Sequence, residues 1–139
     1  MKKISLAACI TLLLGAVVAV GSVSFLGPCV HEDGSFGACH WAGQGMLGIG
    51  LLITAQGILA LLMKSGGARA GVLFSMALTA LLGTLIPGTL IGLCGMATMR
   101  CRALMKPAMI LLCAAIALTA LAGGIAEARK AGKGAGTKT

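Results

Sequence analysis

Four long apolar segments dominate this sequence, and none of them contains a charged residue. They cover residues 4–26, 44–63, 70–93 and 107–125. An α-helix needs about 20 apolar residues to cross the hydrocarbon core of a bilayer, and each segment reaches about that length. An open strand is excluded there, because its backbone amides would lack hydrogen-bond partners. The sequence therefore predicts an all-α integral membrane protein, a four-helix bundle built from two transmembrane hairpins.

Composition agrees with a chain whose main solvent is lipid. Hydrophobic residues make up 58% of the 139 residues and charged residues 10%, and a soluble domain of this size could not bury so much apolar surface. The net charge of +8 is compatible with nucleic-acid binding, but aromatic residues are only 3%. Because no basic residue lies inside the apolar segments either, we expect no nucleic-acid partner. The expected partner is the lipid bilayer.

The basic residues predict the orientation of the helices. Lys and Arg concentrate in the cytoplasmic loops of membrane proteins. If both termini are cytoplasmic, eight basic residues lie inside and three lie outside, the outer ones being Arg100, Arg102 and Lys106. We therefore expect a multi-pass protein of the bacterial cytoplasmic (inner) membrane with both termini inside. Residues 1–126 form the transmembrane domain, and residues 127–139 are predicted to be a disordered basic cytoplasmic tail.

The first apolar segment is expected to be retained as a helix. Lys2 and Lys3 resemble the basic start of a signal peptide, but the apolar stretch that follows is longer than the usual hydrophobic region of such a peptide. The interior of the segments carries no acid or histidine, which are the groups that mark proton and ion pathways. An autonomous ion-coupled transporter is therefore not expected.

Four of the six cysteines fall in the two polar gaps that should face outward. Cys29 and Cys39 lie in the first gap, and Cys94 and Cys101 lie in the second. An oxidising exterior favours structural disulfides, and four cysteines permit three pairings. The preferred interpretation is a disulfide-stapled outer cap with no cofactor and no catalytic role.

Metal or haem ligation is the second interpretation of the same gaps. Thiolate and thioether donors favour copper(I), whereas imidazole suits copper, iron or zinc. The candidate ligands are Cys29, Cys39, His40, Cys94, Met99 and Cys101. Their spacing matches no standard zinc or c-type haem signature. Thiol–disulfide oxidoreductase activity is a third interpretation, weakened because the chain has no C-x-x-C pair.

Small residues recur at four-residue spacing, a pattern that lets membrane helices approach closely. The pairs are Gly67 and Gly71, Gly88 and Gly92, and Ala120 and Gly124. We interpret these pairs as packing within the bundle; the alternative is a face that docks on a partner or on a second copy of the chain.

Pro87-Gly88 predicts a kink in the third apolar segment.

Several of these residues together resemble a known family. They comprise Pro28-Cys29, the triplet Cys39-His40-Trp41, and the stretch from Leu90 to Cys94 that continues through Met99-Arg100-Cys101 to Lys106-Pro107-Ala108. Together they are similar to the small bacterial and archaeal membrane proteins catalogued as domain of unknown function 4418. The resemblance implies about four membrane helices. It also implies genes encoded beside those of export-type ABC permeases and iron-uptake components, so an ABC-type permease or another membrane subunit is the expected partner.

These observations lead to two functional hypotheses. The first is an accessory or structural subunit of a membrane transport assembly. The second is a small metal-handling or redox membrane protein that uses the outer Cys, His and Met side chains to bind copper, iron or haem.

Overall fold

The computed structural model describes residues 5–24, 37–92 and 101–135. They form four long helices, and each is long and apolar enough to cross a membrane. No strand occurs among these residues. The prediction of an all-α integral membrane four-helix bundle is therefore confirmed. The helices are α1 (Leu6–Val23), α2 (Ala38–Leu62), α3 (Gly66–Leu85) and α4 (Lys106–Ala135), with one turn of π-helix (Cys101–Met105) directly before α4.

The helices pack as two hairpins placed side by side. α1 lies mainly against α2 and α3 mainly against α4, while smaller contacts join α2 to α3 and α1 to α4. Methionine and branched side chains fill the centre, among them Met46, Ile53, Met76 and Met109, each fully buried. Large apolar side chains also point outward, such as Leu78 and Leu118 at 69% and 68% exposed. Such a surface suits a lipid environment, in which apolar side chains need not be hidden.

Glycines let α1 and α2 approach closely. A Cβ atom on Gly50 would lie 2.5 Å from the backbone nitrogen of Ala19, and one on Gly15 would lie 2.8 Å from the Ile53 side chain. Neither position has room for a larger residue. Between α3 and α4, a Cβ on Gly83 would lie 2.9 Å from the Cys113 sulfur. Without a hydrophobic force between helices in lipid, this close packing is what holds them together.

The third helix ends earlier than predicted. The apolar segment extends to residue 93 and was expected to bend at Pro87-Gly88, but α3 stops at Leu85. Pro87 directly follows the C-cap residue Ile86 and cannot continue the helix, and Gly88 then has a φ of +95°, a left-handed conformation that glycine adopts readily. The chain then turns back, and the amides of Leu90 and Ile91 donate to the carbonyls of Leu85 and Ile86 at 3.0 and 3.1 Å. These bonds satisfy carbonyls at the end of α3, so the helix terminates where a kink was predicted.

The fourth helix is longer than predicted. Its apolar segment ends at residue 125, yet α4 continues to Ala135, so residues 127–135 of the expected disordered tail are helical. Alanine, glutamate, arginine and lysine are strong helix formers, and Lys130 contacts Glu127 one turn earlier at 3.2 Å. At the other end, Pro107 cannot donate to a preceding carbonyl and its ring would crowd an α-helical turn. The wider π turn before α4 relieves that crowding.

Candidate functional site

The residues that flank the two polar gaps lie at the same end of the bundle. A Cβ atom on Gly45, near the beginning of α2, would lie 3.5 Å from the side chain of Ile86, just after the end of α3. At the same end, a Cβ atom on Gly88, in the turn after α3, would lie 2.9 Å from Nζ of Lys106, the first residue of α4. We call this end of the molecule the gap end. The expectation that both gaps open at one end therefore agrees with the positions of their flanking residues.

Cys39, His40 and Trp41 belong to a helix rather than to a loop. α2 begins at Ala38, six residues before the predicted apolar segment. Cys39 is 1% exposed and faces the interior, whereas Trp41 is 63% exposed. The rings of His40 and Trp41 meet edge to face with their centroids 5.7 Å apart. An outward tryptophan at a helix end suits the headgroup region of a bilayer.

This placement bears on the metal hypothesis. Adjacent helical residues point in directions about 100° apart, so Cys39 and His40 are poorly arranged to hold one ion together. Within the described ranges, no three His, Cys, Asp or Glu side chains are grouped closely enough to bind a metal. Cys29, Cys94 and Met99 lie outside the described residues, as does the side chain of Cys101. The six-residue ligand set and the disulfide pairing therefore remain predictions.

A small positively charged pocket opens at the gap end. It has a volume of about 220 Å³ and is lined by Gly88, Gly92, Arg102 and Lys106. Arg102 belongs to the π turn and Lys106 begins α4, whereas the two glycines belong to the turn that follows α3. Because α3 ends early, the turn that follows it contributes the two glycines to the pocket. The π turn and the first residue of α4 contribute the two basic side chains.

The opposite end, which we call the Arg69 end, is held by a buried ion pair. Arg69 Nη1 lies 3.5 Å from Glu127 Oε2, and both side chains are 10% exposed. The same guanidinium donates to the carbonyls of Ala60 and Met63 at the end of α2, at 3.2 and 2.7 Å. Arg69 therefore caps α2 while joining α3 to α4. The sequence alone predicts no contact for either residue; its one signal is that Glu127 is the only acid outside the first gap.

A polar seam runs between α2 and α3 at membrane depth. The carboxamide nitrogen of Gln56 donates to Ser75 Oγ at 3.1 Å and to Thr79 Oγ1 at 3.4 Å. The carboxamide oxygen of Gln56 is buried, and the structure gives it no hydrogen-bond donor. Other hydroxyls, such as that of Thr11, donate within their own helices. The seam is therefore a second place, nearer the middle of the helices, where polar groups of two helices meet.

The exposed face of α3 beside this seam is made of small residues. Gly67, Gly71 and Ser75 follow one another at four-residue spacing and all three are exposed. A Cβ atom on Gly67 or Gly71 would meet no described residue within 4 Å, so the expected packing of this pair within the bundle is not seen among the described residues. The pair Ala120 and Gly124 does pack inward, since Ala120 is fully buried and a Cβ on Gly124 would lie 3.3 Å from Phe74.

Comparison with known proteins gives a single result. The model of one protein family, described as "Domain of unknown function (DUF4418)", matches residues 11–126, which is most of the chain and nearly all of the bundle. No curated protein and no solved structure matches.

Proposed function

Because the chain belongs to the DUF4418 family, whose description assigns no activity, we propose from the bundle itself that it is an accessory, non-catalytic subunit of a membrane transport assembly. The observation that carries the proposal is the outer face of α3. Gly67, Gly71 and Ser75 form a flat stripe that no described residue covers. Stripes of this type allow a second membrane helix to approach closely.

The polar seam supports a protein neighbour over lipid at this face. Ser75 is exposed, and its hydroxyl accepts from Gln56, whose own oxygen lacks a donor. Lipid tails offer no hydrogen bonds, so a hydroxyl exposed to them cannot use its remaining hydrogen-bonding capacity. A partner helix with a serine, threonine or asparagine could hydrogen-bond to the exposed Ser75 hydroxyl.

The interior of the bundle supports an accessory role over independent transport. Among the described residues, every charged side chain lies near one or the other end of the bundle, and none lies in the middle of a helix at membrane depth. The core of the bundle is filled by apolar side chains, with Met46, Ile53, Leu73 and Met76 all fully buried. An ion-coupled carrier would need ionisable groups at this depth. The transported species would then pass through the partner.

The proposal is tested by purification of the tagged protein from its native membrane in a mild detergent. We expect it to co-purify with a polytopic subunit of a transporter, such as an ABC-type permease, in a fixed ratio. Gly71→Leu should reduce recovery of that subunit about tenfold or more, because the added side chain separates the two helices. Gly48→Leu is the matched control, since Gly48 on α2 is also exposed with nothing within 4 Å.

Two results would contradict the proposal. One is a protein that purifies alone or only as a homo-oligomer. The other is a transporter subunit whose recovery is the same with Gly71→Leu as with Gly48→Leu.

A further inference from the structure

A larger pocket opens at the Arg69 end, between the beginning of α1 and the later turns of α4. It has a volume of about 430 Å³, and the residues around it include Ser5 and Leu6 on one side and Ala126, Glu127 and Lys130 on the other. We call it the α1–α4 pocket. It is bounded by both helices and reaches the surface near the expected depth of the lipid headgroups.

The α1–α4 pocket contains hydrogen-bond donors that the described residues leave unused. Ser5 directly precedes α1 and is only 8% exposed, yet its hydroxyl does not cap the helix and has no hydrogen bond to any described residue. The first amides of a helix have no carbonyl in that helix to donate to, and the first turn of α1 has no acidic residue that could accept from them. Since a buried polar group without a partner is unfavourable, these donors suit an acceptor that enters the pocket.

The ionic groups beside the pocket carry one excess positive charge. Both oxygens of Glu127 contact cations, Oε2 contacting Arg69 at 3.5 Å and Oε1 contacting Lys130 at 3.2 Å. Arg69 also donates to two carbonyls at the end of α2. Lys130 has only its contact with Glu127 among the described residues and is 70% exposed. Because the beginning of α1 adds a positive partial charge, the acceptor that fits this pocket is an anion.

An apolar groove lies further along the outer face of α1. Leu6 borders the α1–α4 pocket, and exposed apolar residues follow it at the three- and four-residue spacing that keeps them on one helix face. The groove begins about 10 Å from Leu6, at 1.5 Å per residue, and one leaflet of hydrocarbon is about 15 Å deep. An acyl chain attached to a group in the pocket therefore reaches the groove. The groove has a volume of about 410 Å³ and is lined by Leu13, Ala16, Val17, Val20 and Gly21.

We propose that the pocket and the groove together bind one anionic phospholipid, with its phosphate in the pocket and an acyl chain along α1. The phosphate oxygens accept from the Ser5 hydroxyl and from the amides that begin α1, and Lys130 contributes a charge-assisted hydrogen bond. Glu127 is already paired with two cations, so a zwitterionic lipid finds no free carboxylate for its ammonium. The predicted orientation places this end at the cytoplasmic leaflet, where anionic lipids attract basic residues. The proposal concerns α1 and α4 and does not depend on the partner proposed for α3.

The experiment measures binding to the full chain in detergent micelles by isothermal titration at constant ionic strength. The three probes are short-chain phosphatidylglycerol, short-chain phosphatidylcholine and glycerol phosphate, which has no acyl chain. We expect phosphatidylglycerol to bind at one molecule per chain, and each of the other two to bind about tenfold more weakly or less tightly still.

One pair of variants tests the charge. Lys130→Gln should weaken phosphatidylglycerol binding about tenfold, because it removes the ammonium at the pocket. Arg129→Gln is the matched control, since Arg129 is the neighbouring exposed basic residue of α4 and does not line the pocket. It should leave the affinity nearly unchanged.

A second pair tests the shape of the pocket without changing any charge. Ala126 is exposed and lines the pocket, so Ala126→Leu should fold normally, fill the space and weaken binding to a similar extent. Ala128→Leu adds the same side chain at an exposed position of α4 outside the pocket and should not weaken binding. Size-exclusion chromatography confirms that each variant is folded.

The proposal is supported if phosphatidylglycerol binds most tightly and both pocket variants weaken it more than their controls do. An equal loss with Lys130→Gln and Arg129→Gln contradicts it, because general surface charge would then explain the binding. Glycerol phosphate that binds as tightly as the lipid would show that the groove contributes nothing, and equally tight phosphatidylcholine would show that the site does not select an anion. Either result, or no binding at all, also contradicts the proposal.

Discussion

Arg69 and Glu127 are 58 positions apart in the sequence, yet the structure pairs them. At the scale of single residues this contact could not be predicted, because nothing local to either residue specifies the other. The chain has only three acidic residues, so a pairing partner for one of its cations had few candidates. The structure adds that Arg69 also satisfies two carbonyls at the end of α2. A charge so enclosed depends strongly on its counter-ion.

Substitution of Glu127 tests this pair. Glu127→Gln leaves the Arg69 guanidinium buried without a carboxylate and should destabilise the protein by roughly 3 kcal/mol, the usual scale for breaking a buried pair. Lys130→Gln is the control, since Lys130 is 70% exposed where it contacts the same carboxylate, and exposed pairs contribute about 0–1 kcal/mol. Thermal denaturation in detergent should show a much lower midpoint for Glu127→Gln. Equal midpoints for the two variants would show that Arg69 does not need Glu127.

At the scale of helices, hydropathy predicts the four elements but not where they end. Lipid-facing and core-facing residues are both apolar, so hydropathy contains no signal at Leu85, where Pro87 and Gly88 end α3. Hydropathy also fails to predict where α2 begins. Cys39 and His40 are helical although they lie outside the apolar segment, because a helix can extend beyond the hydrocarbon core of the bilayer. The small-residue spacing identified candidate contact faces, but could not show that Gly71 faces outward while Gly50 faces α1.

Two glycines on α2 test the packing of the first hairpin. A Cβ on Gly50 would collide with the backbone of Ala19, whereas a Cβ on Gly48 would meet nothing. Gly50→Ala should therefore destabilise the protein by about 1–3 kcal/mol, the typical cost of overpacking. Gly48→Ala should be neutral or stabilising by up to about 1 kcal/mol, because alanine is the better helix former. Chemical or thermal denaturation measures both. A stable Gly50→Ala variant would mean that α1 and α2 are further apart than described.

At the scale of the whole molecule, the structure describes a four-helix bundle with two distinct ends, whereas the orientation of this bundle in the membrane stays a prediction. The eight-to-three division of basic residues places the Arg69 end inside. Reporter fusions at Gly66 and Thr139 should both give cytoplasmic signals, and a fusion at Gly34 should give an external one. An external signal at Gly66 would reverse the orientation and place the cysteines of the gaps in a reducing compartment.

The candidate site was only partly predictable. The sequence places four of the six cysteines and His40 in the two gaps, and the residues that flank these gaps do meet at one end. It did not reveal the pocket, because the pocket requires α3 to stop at Leu85 and the π turn to position Arg102. Nor did it reveal the Gln56 seam, because the partners Ser75 and Thr79 lie on a different helix.

The description of the gap end depends on one arrangement, in which the beginning of α2, the end of α3 and the beginning of α4 meet. Nuclear Overhauser spectroscopy of the methyl-labelled 13.8 kDa chain in micelles tests it without any substitution. We predict cross-peaks between the Ile86 methyl groups and the α-protons of Gly45, since the Cβ position of Gly45 is 3.5 and 3.7 Å from those carbons. Cross-peaks from the Ile86 methyl groups to residues of the Arg69 end in place of Gly45 would contradict the account.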